Sequence, residues 1–232
     1  MARMESAPGM KIRITKDGPY IVSGGIPLSV ESIVADSDGE SESWQVDSKL
    51  PERQKCGLCR CGKSEAKPLC DGSHSDVAFD GTEVAGFEPH IDCAVVLLGP
   101  RIDVADHKEL CAEARFCHRD GAVWHRVGED SADAAETVVS ECGLCPSGRY
   151  TALEKAGGEP LEPDLPPSIA FVQDPQAEVS GPIWVRGGIA IESADGREYE
   201  VRNRVTLCRC GQSENKPFCD GSHVDCGFHD HL

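Results

Sequence analysis

The feature that most constrains this chain is a segment rich in cysteine that is written twice. Residues 58–74 read LCRCGKSEAKPLCDGSH and residues 207–223 read LCRCGQSENKPFCDGSH, differing only at Lys63/Gln212, Ala66/Asn215 and Leu69/Phe218. Upstream, residues 18–28 (GPYIVSGGIPL) and 181–191 (GPIWVRGGIAI) share the pattern G-P-x-x-V-x-G-G-I. Two similar blocks in the same order mean a duplicated unit. Between its blocks the first copy is fourteen residues longer, with six of these before an Asp-Gly pair (Asp38-Gly39, matching Asp195-Gly196) and eight after it. Asp-Gly between β-prone runs signals a hairpin, whose arms tolerate insertion. Each unit is therefore expected to be a few antiparallel strands leading into a cysteine loop.

Each loop has the spacing C-x-C-x8-C-x3-H, which offers Cys59, Cys61, Cys70 and His74 in the first copy and Cys208, Cys210, Cys219 and His223 in the second. Thiolates are the soft ligands that iron clusters require, and imidazole can replace one of them. In C-x-C the two sulfurs share a face of extended backbone and can grip one metal together. The later Cys and His can grip a second from the start of a helix, with Asp71 and Asp220 as N-caps. Gly72 and Gly221 allow close backbone approach, and Pro68 and Pro217 stiffen the loop. Three Cys and one His also suit a structural zinc ion, although C-x-C is less usual for zinc than C-x2-C.

The full pattern, C-x-C-x2-S-x3-P-x-C-D-G-S-H, resembles the CDGSH iron–sulfur domain family, and both copies match it at every position, including Ser64, Ser73, Ser213 and Ser222. The resemblance implies one [2Fe–2S] cluster per motif, held by three Cys and one His, with an acid-labile His–iron bond. It also implies architecture. Family members with one motif pair as homodimers through a shared β-cap, so two units in one chain are expected to form an intramolecular pseudo-dimer, a monomer with an internal pseudo-twofold. With one thiolate fewer, such a centre carries less negative charge than an all-Cys one. Its potential is expected between about −400 mV and the roughly −150 to +300 mV of two-His centres.

The middle of the chain differs. Cys111 and Cys117 are followed much later by Cys145-Pro146-Ser147-Gly148. This resembles a divergent single-cluster ferredoxin domain in which Ala114 stands where the middle cysteine of C-x2-C-x2-C would be. Three thiolates suit a [3Fe–4S] cluster. Cys142 as a fourth ligand would suit [4Fe–4S], and an empty, purely structural segment is the third option. Helices are expected over residues 103–114 and 131–139, the latter opened by Ser131 as a cap. His107, His118 and His125 are read as surface residues, Cys93 as a buried small hydrophobe beside the apolar residues 94–98, Cys56 as incidental, and Cys226 as a cysteine with no assignable partner.

The expected fold is α+β: two small β-rich units, residues 11–90 and 168–232, around a ferredoxin-like insert at 91–154 and a Gly/Pro-rich linker at 155–167. Thirteen cysteines, an odd number in tight clusters, fit metal ligation in a reducing compartment better than disulfides. With no apolar signal-like segment or run long enough to span a bilayer, the expectation is a soluble, cytoplasmic protein. A formal net charge of −17 argues against nucleic-acid and membrane partners. No nucleotide-binding or nucleophile motif points to an enzyme. The expected function is electron carriage between redox partner proteins. The alternatives are donation of [2Fe–2S] clusters to apo-acceptors and pH or redox sensing.

Overall fold

The computed structural model describes residues 4–155 and 158–232. Two residues of the predicted linker, 156 and 157, lie outside the described residues.

The first unit runs through β1 (Lys11–Ile14), β2 (Tyr20–Ser23), β3 (Leu28–Ala35), β4 (Ser41–Lys49) and β5 (Lys55–Leu58), then the cysteine loop and a single helical turn, α1 (Ser73–Asp76). The middle segment contains α2 (His90–Cys93), β6 (Val95–Leu98), β7 (Ile102–Asp106), α3 (Val123–Arg126), α4 (Ala132–Leu144) and β8 (Tyr150–Glu154). The second unit runs through β9 (Ser168–Asp174), β10 (Val179–Arg186), β11 (Ala190–Glu192), β12 (Arg204–Leu207) and α5 (Ser222–Asp225). The result is a mixture of small sheets and short helices, in keeping with an α+β class.

The two units exchange strands. One sheet has the order β11-β1-β2-β5 and another β12-β10-β9-β3-β4. β1 pairs in parallel with β11 of the second unit, Ile12 opposite Ile191. β9 in turn pairs in parallel with β3 of the first, Val30 opposite Phe171. The glycine pairs Gly24-Gly25 and Gly187-Gly188, all at positive φ, redirect the chain between β2 and β3 and between β10 and β11. One core joins both units: Ile12, Ile14, Tyr20 and Leu58 pack with Phe171, Ile183, Ile191 and Leu207. Each of the fully buried aliphatic side chains among them contributes about 1.5–3 kcal/mol relative to exposure.

The extra residues of the first copy build the long β3–β4 hairpin, which turns at Asp36–Glu40 through the Asp36 carboxylate and the Asp38-Gly39 pair. β4 carries Trp44, whose indole N–H donates to Leu144 O at 3.1 Å and whose ring packs on Phe116 and Trp184. The insertion thus fastens the middle segment to the larger sheet.

Within the middle segment the expected helix over residues 131–139 is present as α4, and Ser131 Oγ accepts from Ala134 N at 3.0 Å. The helix expected over 103–114 is not. Residues 102–106 form the central strand of the sheet β6-β7-β8, and only a three-residue 3-10 turn, Lys108–Leu110, follows. Ile102 and Val104 are buried on alternate positions, and this two-residue period prevails over the weaker helical spacing. Residues 94–98 include the edge strand β6, where Val95 and Leu98 are exposed; Cys93 is exposed too, contrary to expectation. Among the described residues no helix is long and apolar enough to cross a membrane.

Candidate metal centres

Each cysteine loop starts where an edge strand ends. β5 delivers Cys59 and Cys61, and β12 delivers Cys208 and Cys210. The loop then folds back so that Cys59 N donates to Pro68 O and Cys208 N to Pro217 O, both at 2.9 Å. The signature serine closes this return: Ser64 Oγ donates to Leu69 O at 2.6 Å and Ser213 Oγ to Phe218 O at 2.7 Å. Cys70 N donates to Gly57 O and Cys219 N to Thr206 O.

The predicted ligands come together as pairs. Cys59 Sγ and Cys61 Sγ are 3.9 Å apart, and Cys208 Sγ and Cys210 Sγ are 3.7 Å apart. Cys70 Sγ lies 3.3 Å from His74 Nδ1 and Cys219 Sγ 3.4 Å from His223 Nδ1. Two thiolates on one tetrahedral metal at about 2.3 Å lie about 3.8 Å apart, so each pair has the spacing to share one metal. Nδ1 is the histidine nitrogen facing the sulfur. Among the described residues no three His, Cys, Asp or Glu side chains converge tightly enough for a single ion. Each motif thus offers two ligand pairs, a donor set suited to a group that contains two metals.

The aspartate of each motif holds the turn, although not as the helix cap itself. The capping positions are Gly72 and Gly221, both left-handed. Asp71 accepts from Ser73 N, Ser73 Oγ and Glu65 N, and these bonds, the Ser73 hydroxyl first, hold its carboxyl well below the usual range. Asp220 makes the equivalent three bonds.

Between the paired cysteines sits an arginine that ligand spacing alone did not single out. Arg60 is buried and donates to Gly81 O at 2.6 Å; Arg209 is buried, donates to Gly181 O and Val172 O, and is ion-paired with Asp230. The sequence carried a signal for both, the L-C-R-C common to the two copies. Each places a fixed positive charge beside an anionic site. Tyr20 of the first unit reaches across, its hydroxyl donating to Cys208 O at 2.8 Å.

The two loops touch. A Cβ at Gly62 would lie 2.5 Å from the Cys210 carbonyl oxygen, and one at Gly211 would lie 2.6 Å from that of Cys61. The backbones next to the two C-x-C pairs are thus pressed together reciprocally.

In the middle segment Cys111, Cys117 and Cys145 line one small cleft with Ala114, the position of the missing cysteine. Burial, and then its two cysteine neighbours, push the Cys117 thiol up to about 12. Arg149, held by Asp106 at 2.7 Å, lines the same cleft. Cys142 does not line it; it is buried in the apolar core beneath α4, and burial raises its thiol strongly. His118 and His125 are exposed as expected. His107 is not a simple surface residue: it is partly buried and lines, with His90 and Arg202, a separate cleft of about 130 Å³.

The site therefore belongs to a class: two cysteine loops with matching donor pairs on a strand-exchanged core, and a three-cysteine cleft beside them, a donor set suited to metal. Residues 17–75 and 180–224 match the family of iron-binding zinc fingers of the CDGSH type, and residues 97–155 match the divergent 4Fe-4S mono-cluster family. The chain is an iron–sulfur protein with two CDGSH segments flanking a divergent mono-cluster segment. No curated protein and no solved structure matches it.

Proposed function

We propose that this protein is an electron carrier, not an enzyme, holding one [2Fe–2S] cluster in each CDGSH motif. Cys59, Cys61, Cys70 and His74 ligate the first cluster; Cys208, Cys210, Cys219 and His223 ligate the second. The observation that carries this function is the reciprocal contact of the two loops through Gly62 and Gly211. This close approach of the two loops supports relay of electrons, which requires redox sites side by side. The exchanged strands act as the β-cap of a pseudo-dimer, so the working unit is a monomer. Cys111, Cys117 and Cys145 hold a third, three-iron cluster, because Ala114 leaves the fourth corner without a thiolate.

The clusters, when bound, supply one-electron chemistry at potentials set by ligand type and surrounding charge. The chain's own residues do the tuning. Arg60 and Arg209 offset the negative charge of the reduced state, and Nδ1 ligation leaves each Nε2 directed away from the metal. The partners are redox proteins, and free thiolate ligands fit a reducing compartment such as the cytoplasm. Donation of a cluster to an apo-acceptor is the second function to consider, favoured by one feature: Cys70 and His74 are only half-buried.

Iron and acid-labile sulfide per chain, with EPR of reduced and oxidised protein, test this assignment. About seven irons, two similar reduced-state [2Fe–2S] signals and an oxidised-state three-iron signal are expected. About four irons would leave the middle cleft structural. Zinc without sulfide would overturn the assignment.

A further inference from the structure

The duplication supplies an internal comparison, because the same motif is seen in two surroundings. In the second motif Cys219 and His223 are each only 3 % exposed, whereas Cys70 and His74 of the first are half-buried. The glycine between Cys and His tells the same story. A Cβ at Gly72 would meet nothing within 4 Å, while one at Gly221 would lie 2.7 Å from Glu113 Cγ and 3.5 Å from Cys111 O. The cover over the second motif is therefore the middle segment, at one of its own candidate ligands.

Two features fasten that cover. Arg115 makes a two-pronged bond to Asp174, at 2.7 and 2.9 Å, with the Asp174 side chain 3 % exposed. Asn215 Nδ2 donates to Glu109 O at 2.9 Å. Asn215 is one of only three positions at which the two motifs differ, and its counterpart Ala66 has no side-chain donor. Past Gly72, residues 75–78 are all exposed.

We propose that the two CDGSH centres are not interchangeable: the first, at Cys70 and His74, is the exchanging centre that an outside protein or chelator reaches, and the second is sealed by the middle segment. This rests on the cluster assignment above and adds a division of labour to it. Traffic with partners, whether of an electron or of the cluster itself, passes at the first motif. The second motif, against Cys111, communicates within the chain.

The test is loss of [2Fe–2S] absorbance from the fully loaded full-length protein at fixed neutral pH, with EDTA and, separately, an apo-ferredoxin as acceptor. Two phases of similar amplitude are expected, differing roughly tenfold or more in rate, since local opening must precede loss from the sealed site. His74→Cys, which keeps a ligand but removes the exchangeable imidazole, should abolish the fast phase. His223→Cys should leave it intact. Glu113→Gly, which removes the cover and suits the positive φ at that position, should accelerate the slow phase, with an unchanged fast phase as evidence of an intact fold. Arg115→Ala should do the same. A single phase from loaded protein, or a fast phase removed by His223→Cys and kept by His74→Cys, overturns this inference alone. A chain that loads neither iron nor sulfide overturns the cluster assignment with it.

Discussion

Gly62 and Ala114 show how much single positions carry in a molecule assembled around metal ligands. Gly62 is left-handed (φ +75) and faces the Cys210 carbonyl with no room for a methyl group. Gly62→Ala therefore combines backbone strain of about 1–3 kcal/mol with a forced separation of the two loops. Its expected signature is a lower Tm together with loss of iron from both CDGSH motifs, read by iron content and by the reduced-state EPR signal. Gly72→Ala meets the same backbone strain in open space and should leave the second motif loaded. At Ala114 a thiolate would complete the set formed by Cys111, Cys117 and Cys145. Ala114→Cys should therefore replace the oxidised-state signal of a three-iron cluster by the reduced-state signal of a four-iron one, with iron content rising by about one per chain. An unchanged spectrum would show that the fourth corner lies elsewhere in the cleft.

At the scale of elements, the parallel pairings β1–β11 and β3–β9 are what unite the two copies. Ile12 is fully buried between Val22 and Ile191. Ile12→Ala is expected to cost about 2–5 kcal/mol, and because the cavity opens into the common core, both copies should lose stability together in a denaturant titration. Much of this was legible beforehand. The Asp-Gly pairs located turns, and Ser131 located the start of α4. The strand exchange itself was not readable from local pattern, because partner choice depends on which buried faces meet, and β1 would suit either neighbour. The ligand pairs were legible because each is set by spacing within a few residues. The cover over Gly221 was not, since it joins positions 113 and 221, whose proximity only the assembled fold creates. The strand over 102–106 was missed because residues 103–114 were read as one period, when the alternating burial of Ile102 and Val104 ends at the 3-10 turn. Cys93 was misplaced for a related reason: its apolar neighbours form an edge strand with no sheet beyond it.

At the scale of the whole molecule, the middle segment is docked onto the second unit across a cleft whose charge state should govern how firmly it holds. His90 and His107 line this cleft with rings 5.2 Å apart, His90 Nε2 and His107 Nδ1 are buried without partners, and Arg202 stands between the segment and Phe218. Glu200 is committed to the His90 backbone N–H at 2.7 Å. Burial first, then the positive charge of Arg202 and the neighbouring His107, lower the His90 pKa from its ordinary 6.5 to about 3. A histidine depressed in the folded state binds fewer protons there than in the unfolded chain, where it titrates normally. Its contribution to stability is therefore complete above about pH 6.5 and is withdrawn as the pH falls toward 3, at no more than about 1.4 kcal/mol per pH unit. His107, depressed by burial as well, acts in the same direction. His90→Gln removes the proton acceptor while keeping a polar side chain of similar reach. Its Tm should therefore fall less steeply than that of the parent between pH 6.5 and 4.5, measured by far-UV circular dichroism on protein stripped of iron, so that release of the motif histidines does not contribute. Parallel slopes for parent and variant would mean that the cleft opens to water before His90 takes up its proton, and that the segment is held by contacts outside the cleft, among them Trp44 and the Arg115–Asp174 pair.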